Sequence, residues 1–257
     1  MRILMIRHGD PDYEHDSLTE TGKKEAALLA ETAGGLHLGD CFVSPLGRAK
    51  ETASCTLNKL GLKARTLDWL QEFPAKLDIN DSEELQRAYP NTRKEGERFA
   101  SRIVWDMMPS YYLAHPEYMD REGWKTSAVA AHSDIVSVYE NVIEHFDRLL
   151  AGYGYVREGM HYRVEKANTD TITFFCHFGL TCVLLSHLIN VSPFALWHGL
   201  VLAPTSVTEI TTEERERGIA MFRSQRMGDI HHLLADGTGP SFAARFCEIY
   251  DNMEQRH

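Results

Sequence analysis

ILMIRHGD, residues Ile3 to Asp10, sets four apolar residues directly before an arginine, a histidine and a glycine. Four are too few for a helix and suit a strand buried on both faces. The run delivers Arg7 and His8 into a flexible turn at Gly9. Open α/β sheets present chemistry in this way, at the carboxyl ends of their strands.

Downstream, Asp10 to Ser17 is polar, contains Pro11 and is expected to be a loop. Thr19 or Ser17 then caps a helix with Ala26, Leu29, Ala30 and Ala33 at helical spacing, stopped by Gly34-Gly35. Asp40 to Val43 is a second short strand, leading through Ser44-Pro45-Leu46-Gly47-Arg48 into a helix that runs to about Lys59, before Gly61. Ala64 to Leu67 is a third strand. The alternation of strand and helix, with crossovers long enough for parallel pairing, predicts an α/β fold.

Residues 73–132 break that rhythm. The charged stretches Ser82 to Tyr89 and Thr92 to Met108 are expected to be helical, and Trp105, Tyr111, Tyr112, Tyr118 and Trp124 make the segment rich in aromatics. We expect an inserted helical cap within a single domain spanning 1–257. Asp134 to Leu150 follows as a helix with Ile135, Val138, Val142, Phe146 and Leu149 on one face, ended by Gly152 and Gly154. Thr171 to Cys176, TITFFC, is β-branched and aromatic and runs straight into His177-Phe178-Gly179. Leu180 to Ile189 is an apolar helix, Ser206 to Thr212 and Gly218 to Arg223 are paired late strands, and the last thirty residues carry no assigned element. The predicted architecture is a three-layer sandwich, a mostly parallel sheet with helices on both faces.

Composition bounds the function. With 257 residues, 43% of them hydrophobic, the chain is long enough to build a substantial core. A net charge of -10 argues against a protein held to nucleic acid or an anionic membrane by its overall field. Any phosphate site must therefore be a local arginine cluster set against the global sign. Cys41, Cys55, Cys176, Cys182 and Cys247 are scattered without a C-x-x-C pair and are expected to be reduced. No apolar run approaches the roughly 18 residues of a membrane span, and no leader precedes the first strand, so a cytoplasmic location is expected.

Arg7 and His8 after the first strand, Arg48 at the start of a helix after the second, and His177 after the long strand all belong at one edge of a parallel sheet. Two guanidinium groups and two imidazoles can converge there on an anion, a set suited to a phosphoryl group. Helix N-termini after Pro45 and Phe178 would add backbone N–H donors, and an imidazole can serve as nucleophile.

These residues resemble the histidine phosphatase superfamily, branch 1, also called phosphoglycerate-mutase-like. The matching pieces are Leu4-Met5-Ile6-Arg7-His8-Gly9, Leu18-Thr19-x-x-Gly22, Ser44-Pro45-Leu46-Gly47-Arg48-Ala49-x-x-Thr52-Ala53, Leu70-Gln71-Glu72 and Cys176-His177-Phe178-Gly179. Pro204-Thr205-Ser206-Val207-Thr208 and the stretch from Gly228 to Leu233, with His231-His232, look like the family's late strand and tail. The resemblance implies a phosphatase in which His8 attacks phosphorus, Arg7, Arg48, His177 and Gly179 bind the phosphoryl oxygens, and Glu72 acts as general acid and base. It implies a small phosphorylated substrate and neither metal nor cofactor. The chain departs from the family in Phe178, which separates His177 from Gly179, and in the loop from Asp10 to Ser17, which is short and lacks an asparagine. Phosphoglycerate mutase chemistry and a phospho-ligand binding protein without turnover are the alternatives. The mutase stretch around the acid is absent, since Gln71-Glu72-Phe73-Pro74-Ala75 stands in its place.

Overall fold

Arg2–Arg7 forms strand β1 in the computed structural model, which describes residues 1–241 and 249–252. The loop after it holds a two-residue bridge, β2 (Pro11–Asp12) with β3 (Ser17–Leu18). Helix α1 (Glu20–Thr32) is capped by Thr19, whose hydroxyl accepts the Gly22 N–H, as its sequence predicts. Strand β4 (Asp40–Val43), helix α2 (Gly47–Leu60) and strand β5 (Ala64–Thr66) follow as expected. Leu46 is the N-cap of α2, and Pro45 lies one residue before it rather than in the helix's first turn.

After Glu72 the chain builds a second compact unit from residues 73–152 and 182–200. Helix α3 (Glu83–Ala88), capped by Ser82, matches expectation. The helix expected from Thr92 to Met108 does not form. In its place lies a small hairpin, β6 (Lys94–Glu95) with β7 (Arg98–Phe99), turned at Gly96 with φ +68°. Glycine at positive φ breaks a helix and suits a tight turn, and the segment beyond folds back on α3, where Tyr89 donates to the Val104 carbonyl at 2.7 Å. Helices α4 (Pro109–Ala114), α5 (Ala128–Ala131) and α6 (Ile135–Gly152) complete the stretch. Aromatic residues form this unit's interior: Tyr118 and Trp124 are buried, Tyr118 packs on Phe194 with ring centroids 4.8 Å apart, and Trp105 packs on Trp197 at 5.4 Å. Packed aromatic rings of this kind supply a core that does not depend on the small hairpin.

The chain returns to the first unit with a hairpin that the sequence does not announce, β8 (Tyr155–Glu158) and β9 (His161–Val164). Its strands are short and charged, and only partners on a neighbouring strand reveal them. Strand β10 (Thr171–Cys176) leads into helix α7 (Phe178–Ile189), then α8 (Pro193–Gly199) in the second unit. The late strands are longer than expected, β11 (Val207–Glu216) and β12 (Ile219–Asp229), and the tail contributes α9 (His231–Ala235).

The sheet runs in the order β5-β4-β10-β1-β11-β12-β9-β8. Its first four strands are parallel, and β11 opposes β1. Leu4, Ile6, Cys41, Val43 and Phe175 point to one face and pack with Leu29, Ala49, Ala53 and Leu57 from α1 and α2. Ile3, Met5, Ile172 and Phe174, one residue out of phase, are equally buried, so both faces are covered.

Candidate active site

Register decides what meets at the sheet edge. Ile6 stands opposite Phe175, and Phe175 opposite Val43, so the next residues on three adjacent parallel strands are Arg7-His8, Cys176-His177 and Ser44. The His8 N–H donates to the Cys176 carbonyl at 3.0 Å, and the Ser44 N–H to that of Phe175 at 3.0 Å. The two imidazoles lie with ring centroids 5.0 Å apart. Both are buried, His8 at 1% and His177 at 0% exposure.

His8 Nδ1 lies 2.7 Å from the Gly9 carbonyl. A carbonyl oxygen only accepts, so Nδ1 carries the ring proton and Nε2 the lone pair. Arg48 Nε stands 3.4 Å from that Nε2. Burial, then the charge of Arg7, push the His8 pKa down to about 3. The imidazole is therefore neutral, with its nucleophilic nitrogen facing a guanidinium.

His177 Nε2 is 2.7 Å from the Ser44 hydroxyl, which already accepts the Leu46 N–H at 3.2 Å. We assign the hydroxyl proton to Nε2, which leaves the ring proton on Nδ1. That Nδ1 is buried without a hydrogen-bond partner, and so is Arg7 Nε. Arg7 is otherwise held by the Leu202 carbonyl and lies 5.9 Å from the Phe178 ring. Two buried donors without partners, close to the His8 Nε2 lone pair, are a set able to bind the oxygens of an anion. Burial also lowers the pKa of His177, helped by His8, Arg48 and Arg7.

Arg48, in the first turn of α2, is 8% exposed. Its Nη1 donates to Asp16 Oδ1 at 2.6 Å, and its guanidinium carbon lies 5.4 Å from the Tyr13 ring centroid. One turn further along α2, Thr52 accepts the Gly9 N–H at 2.9 Å and so ties the helix to the His8 turn. Gly9 and Gly22 touch back to back: a Cβ on Gly22 would stand 2.2 Å from the Asp10 carbonyl. The Leu18-Thr19-x-x-Gly22 piece is thus a packing requirement of the turn. Glu25, one helical turn on, accepts the Asp10 N–H at 2.7 Å, and burial raises its pKa.

Glu72 is the last residue of the first unit, and its Oε1 accepts the Leu180 N–H at 3.1 Å in the first turn of α7. That bond holds it against the first turn of α7, which follows directly on His177. Gly179 lies in that same helical turn, between Phe178 and Leu180. The two helix N-termini expected to offer N–H donors each hold a carboxylate, Asp16 on Gly47 and Glu72 on Leu180. Cys176 is no rival nucleophile, because burial pushes its thiol up to about 12. His232 is a packing residue: it bonds Thr205 at 2.8 Å, and the Thr205 N–H bonds the carbonyls of Arg7 and His8.

Sequence reasoning assigns no role to three residues of the site, Ser44, Glu25 and Asp16. Ser44 had a signal in its place directly after a strand. So did Glu25, an acid at i+3 from Gly22 on the buried face of α1. Asp16 had none, since its loop has no periodicity. Cys41, Cys55, Cys176 and Cys182 are free thiols, and Cys247 lies outside the described residues. Among the described residues no group of three or more His, Cys, Asp or Glu is placed to hold a metal ion, and no helix is long and apolar enough to cross a membrane.

The buried histidines make stability pH-dependent. The folded pKa of His8 lies at about 3 and that of an unfolded imidazole near ~6.5, so between them the unfolded chain binds more protons. The contribution is complete above the unfolded value and is lost as pH falls towards the folded one. At pH 5 the deficit from one such imidazole is about 2 kcal/mol, which corresponds to roughly 5 °C in Tm. Thermal melts should show at least that drop from pH 7 to pH 5, and His8→Gln should shrink it. A melting temperature unchanged over this range would contradict the burial of neutral imidazoles.

Comparison with known proteins bears on this geometry. Residues 3–107 match the family model of the histidine phosphatase superfamily (branch 1). Among solved structures, one described as mycobacterial hydrolase 1 is 19% identical, with a TM-score of 0.57, covering 89% of this chain and 98% of that one. A mycobacterial glucosyl-3-phosphoglycerate phosphatase, solved with VO3, is 20% identical with a TM-score of 0.55, covering 88% and 98%. A phosphoserine phosphatase from Entamoeba histolytica, in complex with 3-phosphoglyceric acid, is 15% identical with a TM-score of 0.54, covering 90% and 98%. At these identities the likeness is one of fold. Leucine–tRNA ligases of Brucella anthropi and Brucella ovis are each 26% identical, over 39% and 37% of this chain. The chain spans 11% of the length of these curated relatives, a partial likeness that assigns it no activity.

Proposed function

We propose that the chain, whose residues 3–107 match the family model of the histidine phosphatase superfamily (branch 1), hydrolyses phosphomonoesters through a phosphohistidine on His8. The observation that carries this reading is the 2.7 Å contact of His8 Nδ1 with the Gly9 carbonyl, which requires the ring proton on Nδ1 and leaves the Nε2 lone pair 3.4 Å from Arg48 Nε. In the first step Nε2 forms a bond to phosphorus as the ester P–O bond breaks, and the leaving oxygen takes its proton from Glu72. In the second, water gives a proton to Glu72 and attacks the phosphohistidine, releasing inorganic phosphate and free His8. Arg7 Nε, Arg48 and His177 Nδ1–H donate to the phosphoryl oxygens, whose charge is spread over them in transfer.

The substrate we propose is a small phosphorylated metabolite, in keeping with the names of the phosphatases of like fold. The reaction needs no metal, because two arginines already supply the positive charge. The free thiols suit a reducing, cytoplasmic setting. Release of inorganic phosphate from p-nitrophenyl phosphate tests the reading and should survive exhaustive chelation. No release above a His8→Ala control would overturn it. Activity abolished by EDTA and restored by a divalent ion would replace it with a metal-assisted mechanism.

A further inference from the structure

Asp16 sits on donors that an anion would otherwise use. Its Oδ1 takes the Arg48 Nη1–H at 2.6 Å, and its Oδ2 takes the N–H of Gly47, first residue of α2, at 2.6 Å. A guanidinium fork and a helix N-terminal amide are the donors with which proteins ordinarily hold phosphate. The backbone is built for this contact. Asp16 has φ +47°, a conformation that Asp tolerates better than most residues. A Cβ on Gly47 would stand 2.1 Å from the Asp16 carbonyl oxygen, so only glycine lets the loop seat there. The carboxylate is a fixed part of the site, although its side chain is 43% exposed.

We infer that Asp16 is a positioning residue for the phosphoryl site: it aims Arg48 Nε at His8 Nε2, and its negative charge weakens the hold on phosphate. The inference rests on the phosphatase reading above. Arg48 reaches two partners at once, Asp16 through Nη1 and His8 through Nε, so fixing the first orients the second. The charge works in the opposite sense. Arg7 and Arg48 bring two positive charges against a dianion, and the Asp16 carboxylate cancels one of them next to Arg48. Unopposed, that pair of arginines would retain the product phosphate and slow turnover. The loop that departs from the family by lacking an asparagine thus supplies an acid instead.

Isothermal titration with inorganic phosphate, run beside kcat and KM on p-nitrophenyl phosphate, tests the inference. Asp16→Asn keeps an oxygen acceptor and removes the charge. It should tighten phosphate binding about five- to tenfold, the scale expected of one half-exposed charge near the ligand. Asp16→Ala also removes the tether and should lower kcat by roughly 10-fold or more, with KM changed far less. Unchanged or weaker phosphate binding in Asp16→Asn overturns the inference, since a merely structural aspartate would weaken it. If the asparagine variant does not fold, Asp16→Ser carries the same charge change to the same readout. A wild-type protein that turns over while the variant binds no tighter removes this inference alone. A wild-type protein that neither binds phosphate nor releases it removes the phosphatase reading, and this inference with it.

Discussion

His8→Ala is expected to abolish phosphoenzyme formation and to lower turnover by on the order of 10⁴-fold or more, as loss of a nucleophile does elsewhere. The expectation follows from the way the side chain is held. Nδ1 is pinned to the Gly9 carbonyl and the His8 N–H to Cys176, so the ring cannot rotate to offer its other nitrogen. No neighbouring group can substitute. His177 has its Nε2 committed to Ser44, and the thiol of Cys176 is held protonated by burial. Rapid quench with labelled substrate should trap an acid-labile, base-stable phosphoryl group in the wild type and none in the variant. A labelled adduct persisting in His8→Ala would move the nucleophile elsewhere. His8→Asn, whose amide can still donate to the Gly9 carbonyl, controls for the cavity that alanine leaves at a site exposed by only 1%.

Glu72→Gln should separate the two halves of the reaction. The substitution keeps the oxygen that accepts the Leu180 N–H, so the first turn of α7 retains its partner, while the exchangeable proton is lost. An alkyl ester needs its leaving oxygen protonated, and its hydrolysis should fall by ~10²-fold or more. A nitrophenyl ester leaves as a stable phenolate and needs little help. Its phosphoenzyme should form at nearly the wild-type rate, and water attack, for which Glu72 is the proposed base, should become slow. Stopped-flow absorbance should show this as a retained burst followed by a depressed steady state. Equal loss of both phases for both kinds of ester would make Glu72 a structural cap of α7. The acid would then be sought among Asp78, Asp81, Glu83 and Glu84, the next carboxylates along the chain.

Local chemistry made part of this protein legible from its residues. The apolar runs Ile3 to Ile6 and Thr171 to Cys176 could only be buried strands, and both end in histidine, so the pairing of His8 with His177 at one sheet edge followed from topology. Thr19 as a cap and Gly61 as a stop bounded α1 and α2 because capping is a matter of a few adjacent residues. Arg7 and Arg48 stood out as candidates because guanidinium groups beside the carboxyl ends of buried strands call for an anionic partner. The tertiary structure alone decided the rest. The stretch from Thr92 to Met108 has helical composition but turns at Gly96 and folds back on α3, and β8 and β9 exist only through their partners. The proton on His8 Nδ1, the hydroxyl on His177 and the carboxylate on Arg48 each depend on an atom brought close in space. For the last two, that atom lies more than 30 residues away in the chain. Periodicity and capping act over one or two turns of chain, whereas a hydrogen bond between Asp16 and Arg48 exists only once packing has carried the loop onto the helix.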